Sequence, residues 1–134
     1  MNPQTYNIGN KNAAIKLQVN ISVGMGTLIT PDLVVYMDTP NALEPDTNST
    51  DTDYFYALGD AKELGFALLK VEFTFDLKYV APTHWEDCFD NLIITYTLSG
   101  GLSTQTYQHL PTDTKNKSTS GQIIISKKEL MLTN

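Results

Sequence analysis

Two stretches of this chain alternate between apolar and polar side chains, and that alternation limits the fold more than any other feature. In residues 13–23, Ala13, Ile15, Leu17, Val19, Ile21 and Val23 share one parity, while Ala14, Lys16, Gln18, Asn20 and Ser22 hold the other. Residues 70–79 repeat the pattern, with Val71, Phe73, Phe75, Leu77 and Tyr79 set against Lys70, Glu72, Thr74, Asp76 and Lys78. Successive side chains of a strand point to opposite faces, so each run has one dry and one wet face. A wet face goes with antiparallel pairing, because parallel sheets are usually covered on both sides.

Shorter extended runs fill much of the remaining chain. Residues 27–37 read as strand interrupted at Pro31-Asp32, since proline cannot donate to a ladder. Leu33–Met37 reads as a short buried strand, and Tyr54–Leu58, Leu92–Leu98 and the Ile123-Ile124-Ile125 run read as three more. Gly59–Gly65 has room for one helical turn, and Ala81–Asp90 reads as a loop. Gly100-Gly101 between two extended runs predicts a tight hairpin, because such turns need positive φ. A two-residue loop there would set Leu98 opposite Ser103, Ile94 opposite Tyr107 and Leu92 opposite His109, with Thr95, Thr97, Thr104 and Thr106 as a ladder on the other face. The expectation is an all-β fold: one antiparallel β-sandwich domain of about seven to eight strands over residues 1–134. Residues 1–12 read as an N-terminal arm, 112–121 as a polar loop and 38–53 as a long acidic loop.

Charge narrows the partners. The net charge is −6, all nine basic residues are lysine, and arginine is absent. Arginine's planar fork is the preferred clamp for phosphate and guanine. An acidic chain without it argues against nucleic acid and anionic membranes as partners. Seventeen threonines cover much of the surface with neutral hydroxyls. Cys88 is the sole cysteine, so no internal disulfide can form. No secretory signal or membrane-length apolar run is visible, which leaves a cytoplasmic location or export by a non-classical route as the expectation.

Candidate sites are weak and local. Between Lys16 and Lys62 the chain carries seven carboxylates and no basic residue. Asp46, Asn48, Asp51 and Asp53 supply the hard oxygens that calcium prefers, although their spacing fails the EF-hand pattern. The competing reading is a solvated acidic loop. His84, Cys88 and His109 are too few for a structural zinc site without a carboxylate. A small hydrolase could draw on His84, Glu86, Asp87, Cys88 and Asp90, but no nucleophile motif surrounds them. Trp85, Tyr54 and Tyr56 are candidates for an aromatic platform that stacks on sugar, against a reading in which Phe55 packs inward and the tyrosines are half-buried.

The reading that follows is a non-enzymatic structural or interaction protein, working without a cofactor as a subunit of a homo-oligomer or larger assembly. Residues 17–61 carry −7 and residues 115–134 carry +3, a layout suited to contacts between copies or with other protein subunits. The alternative is a carbohydrate-binding module, with calcium in the acidic loop.

Overall fold

The computed structural model describes residues 4–9, 13–22, 31–37, 43–50, 52–65, 67–109 and 113–133. Its strands are β1 (Gln4–Asn7), β2 (Ala14–Ser22), β3 (Asp32–Tyr36), β4 (Asp53–Asp60), β5 (Leu68–Asp76), β6 (Ile93–Ser99), β7 (Gln105–Gln108), β8 (Thr114–Lys117) and β9 (Ile123–Thr133). One helix, α1, spans Trp85–Asn91, and 3₁₀ turns lie at Ala61–Glu63 and Pro82–His84. The fold is all-β and sandwich-like. A five-stranded sheet runs β1-β9-β5-β3 with β8 also on β9, and a four-stranded sheet runs β4-β2-β6-β7. Among the described residues no helix is long and apolar enough to cross a membrane.

The alternation does what periodicity demands. Ile15, Leu17, Val19 and Ile21 of β2 and Leu69, Val71, Phe73 and Phe75 of β5 are all buried in one core. Each is an inner strand of its sheet: β2 pairs with β4 and β6, and β5 with β3 and β9. Phe73 and Phe75 stack with ring centroids 5.6 Å apart. Truncating a core phenylalanine of this kind costs about 3–5 kcal/mol through lost transfer energy and the cavity left behind. Tyr79 leaves the pattern and is 91% exposed, because β5 ends at Asp76 and the chain turns away.

Several expectations need correction. The N-terminal arm contains β1, which runs parallel to β9, so the sandwich is not wholly antiparallel. The polar loop at 112–121 contains β8. The loop at 81–90 is mostly helical: Trp85, Cys88, Phe89 and Leu92 recur at helical spacing and turn toward the core, with Cys88 and Leu92 buried. β3 is not buried throughout, since only Val35 is enclosed while Val34 faces out. The β6–β7 hairpin is longer than a two-residue turn. Leu98 pairs with Gln105 and Tyr96 with Tyr107, a register shifted by two from the expected one, although Thr97 and Thr106 do meet across the ladder at 3.3 Å.

The reason lies in Gly100-Gly101. Gly100 has φ +94°, but a Cβ there would also sit 2.0 Å from the carbonyl oxygen of Ala14. A Cβ on Gly101 would sit 2.5 Å from the carbonyl oxygen of Asn7 and 2.9 Å from Cα of Ile8. These glycines serve close backbone approach as much as turn geometry. They seat the hairpin against the chain between β1 and β2, where the Leu102 amide donates to Asn7 O.

Candidate functional site

The two flanks of the sandwich are where the sheets must be joined. On one, β3 and β4 are spanned by the segment 43–50 of the acidic loop. The Leu43 amide donates to Val35 O at 2.7 Å, and the Asp46 amide to Phe55 O at 2.7 Å. The Phe55 amide donates to Ser49 Oγ at 3.0 Å, and the Thr50 amide to Asp53 O at 2.7 Å. The segment thus pairs with both sheet edges, satisfying groups that would otherwise invite another strand. Leu43 packs against the core while Glu44 and Asp46 stay in water.

The opposite flank is joined by side chains. The inward parity of β9 reads Ile124, Ser126, Lys128, Leu130, Leu132, so two polar residues enter the core side, where Ser126 is 0% and Lys128 1% exposed. Lys128 Nζ donates to Gln4 Oε1 at 2.6 Å, to Asp113 Oδ2 at 2.6 Å and to Gln108 O at 3.1 Å. Three donors meet three acceptors, which is what lets an ammonium stay buried. Ser126 Oγ and His109 Nε2 lie 2.7 Å apart, and Nδ1 of the same ring is 3.5 Å from Tyr96 OH. His109 therefore bridges β9 of one sheet and β6 of the other. Tyr107 OH donates to Thr5 O, and Tyr6 OH donates to Ser103 O while accepting from the Gly101 amide. Burial raises the Tyr96 hydroxyl far above the usual tyrosine range, an effect that the nearby Ser126 hydroxyl partly offsets.

A serine hydroxyl held on a histidine nitrogen is the first requirement of acyl transfer. Here Ser126 is fully buried, and the pair bridges the two sheets. Beside it a groove of about 430 Å³ opens on the flank, lined by Leu92, Ile93, Ile94, Gln108, His109, Asp113, Lys115 and Ser126. Lys115 Nζ stands 4.6 Å from the centroid of the Phe89 ring on α1, and Lys117 Nζ stands 4.9 Å from the same ring. Burial pushes the Lys115 ammonium below the usual lysine value, with the charge of Asp90 opposing the shift.

A second concavity, of about 270 Å³, lies on the outer face of the four-stranded sheet, lined by Lys16, Leu17, Gln18, Asp46, Asn48, Phe55, Tyr56, Thr97 and Ser99. Asp46 and Asn48 thus come to Phe55. Asp53 lies on the same sheet and accepts from Asn20 Nδ2 at 2.7 Å and Gln18 Nε2 at 3.3 Å. Asp51 lies outside the described residues. Among those described, no group of three or more His, Cys, Asp and Glu gathers as a metal site would require.

The aromatic platform is reorganised. Tyr56 is 2% exposed and belongs to the core, its hydroxyl raised to about 12 by burial and by the charges of Tyr54 and Glu44. Tyr54 packs against that core, and Phe55 is the ring of β4 that points outward, the reverse of the expected parity. Leu58, buried beside Tyr56, carries the signal that would have set it right. Trp85 serves as an anchor, its Nε1 donating to Leu77 O at 3.0 Å and Val80 O at 2.9 Å. His84 is exposed before α1, whereas Cys88 is buried, its thiol pushed up by burial and by the charge of Asp87. A thiol so held is a weak nucleophile.

Comparison with protein-family models, with characterised proteins and with solved structures found no match to this chain.

Proposed function

We propose that this chain is a non-enzymatic interaction protein that associates with further copies through the outer face of its four-stranded sheet. The observation that carries the reading is the contrast between the two outer faces. The five-stranded sheet turns six charged residues outward, Asp32, Lys70, Glu72, Asp76, Lys127 and Glu129, with Lys127 and Glu72 paired at 3.9 Å, and these charges surround the exposed Val34 and Ile125. The four-stranded sheet presents Gln18, Asn20, Phe55, Thr95, Thr97 and Thr106 across its centre, and Asp53 there is already held by two amides. Removing neutral amides and hydroxyls from water costs far less than removing charges. Lys16 and Asp46 stand beside Phe55, but the centre of the face around Gln18, Thr95 and Thr97 is neutral, and low charge is a mark of an interface core.

Sedimentation of the purified protein at moderate salt tests this. The expected result is a concentration-dependent oligomer that Thr97→Lys weakens by about tenfold or more through charge burial. Thr74→Lys on the other outer face should leave it unchanged. A monomer at every concentration would overturn the reading.

The groove at Phe55 favours a second reading, a carbohydrate-binding module. A ring edged by Gln18, Asp46, Asn48 and Thr97 offers stacking together with hydroxyl partners. That reading expects Phe55→Ala to abolish glycan binding without unfolding the protein. Calcium in the acidic segment would add a rise in melting temperature that Asp46→Ala removes.

A further inference from the structure

We propose that the flank groove beside His109 is a binding site for a small amphipathic monoanion, its acid group set against Lys115 and its apolar body against Leu92, Ile93 and Ile94. The volume, about 430 Å³, is within the range of small-molecule sites. The lining is mixed: Leu92 and Ile94 supply buried aliphatic surface, Ile93 an exposed aliphatic edge, and the other five residues are polar.

The charges of those polar residues are unequally disposed of. Asp113 is spent on Lys128 at 2.6 Å, so the two cancel. His109 and Ser126 hold each other at 2.7 Å. Lys115 is the cation left over. Among the described residues no carboxylate lies within ion-pair distance of it, and its near partner is the face of the Phe89 ring. Asp90 acts on it only at longer range. A half-buried ammonium facing a groove, with an aromatic ring behind it and aliphatic side chains ahead, matches an acid group carried on a hydrocarbon body. Lys117 Nζ shares the Phe89 ring at 4.9 Å but lies outside the groove lining, so a dianion finds no second cation within the groove. Ligand carboxylate would also favour the charged form of Lys115 that burial disfavours.

The test uses the intact protein, isotope-labelled for NMR, titrated with sodium octanoate and, separately, with 1-octanol. The expected result is saturable shifts at the Leu92, Ile93 and Ile94 methyls with octanoate, and binding at least about tenfold weaker with octanol. Lys115→Gln should reduce octanoate affinity by about tenfold and leave octanol unaffected, because it removes the charge and keeps a polar, only slightly shorter side chain. Ile93→Glu, at a position 52% exposed and so tolerant of substitution, should abolish octanoate binding by like-charge repulsion. Absence of saturable shifts at these methyls would overturn the proposal. So would equal affinity for octanoate and octanol, or an octanoate affinity indifferent to Lys115→Gln.

Discussion

The two flanks of the sandwich solve one problem by different means. At β3 and β4 the sheets are joined by backbone: a connecting segment runs over both edges and hydrogen-bonds each. At β7, β1 and β8 they are joined by side chains from distant parts of the sequence, centred on a buried lysine and a histidine bridge. A backbone strap needs no particular side chain for most of its bonds, so it tolerates substitution. A buried polar network has no such latitude, because each member lost leaves a desolvated partner behind. The second flank is also the one with a groove between the sheets.

The largest effect is expected at Lys128. Lys128→Ala removes the donor that the Asp113 carboxylate, Gln4 Oε1 and Gln108 O share. Breaking a buried pair from one side typically costs about 3–5 kcal/mol, readable from urea denaturation. Adding Asp113→Asn to Lys128→Ala should recover part of the loss, since no carboxylate then loses its ammonium. If Lys128→Ala cost no more than an exposed substitution, the flank would not be held by this network.

Alkaline pH should separate the flanks. Tyr56 lies under the strap and Tyr96 at the polar bridge, and both hydroxyls are raised above the ordinary value of 10.0 by burial, Tyr96 the further. A raised folded value means the neutral phenol is favoured by folding. The stability it contributes is full below pH 10 and is lost as pH climbs toward the folded value, which for Tyr56 is about 12. Unfolding should therefore set in between those limits, before either phenol ionises in the native state. Tyr56→Phe and Tyr96→Phe should each flatten the dependence, as followed by phenolate absorbance against circular dichroism.

The sheets were far more legible in the sequence than the joints between them. β2 and β5 announce themselves because a strand with one buried face must alternate, and both do so for their full length. The same parity runs backward along β9 from Leu132 and Leu130 through Lys128 and Ser126 to Ile124. A lysine at an inner position breaks the pattern unless its acceptors are known, and those stand at residues 4, 108 and 113, which no local rule connects. The acidic segment was visible as composition, but its role depends on backbone bonds, to which side-chain chemistry is blind. α1 left a signal at 85, 88, 89 and 92 that is short for a helix and was outweighed by its polar neighbours.

The smallest effect is expected at the strap, and it is the sharpest test of the contrast. Ser49 Oγ is the one side-chain acceptor that the strap offers to the Phe55 amide, and the Asp46 amide independently binds Phe55 O. Ser49→Ala removes the first bond and leaves the second. The site is partly exposed, so water can replace the lost acceptor, and the cost should be about 1 kcal/mol. Native-state hydrogen exchange should show the Phe55 amide losing protection by about five- to tenfold, while the amides of β9 keep theirs. Ser126→Ala removes one hydroxyl likewise, but from a fully buried position whose histidine partner is left without it. Its cost should be larger and should spread to amides of both sheets, because the bridge it cuts joins them. Equal, local effects from the two substitutions would mean that the flanks are held in the same way after all.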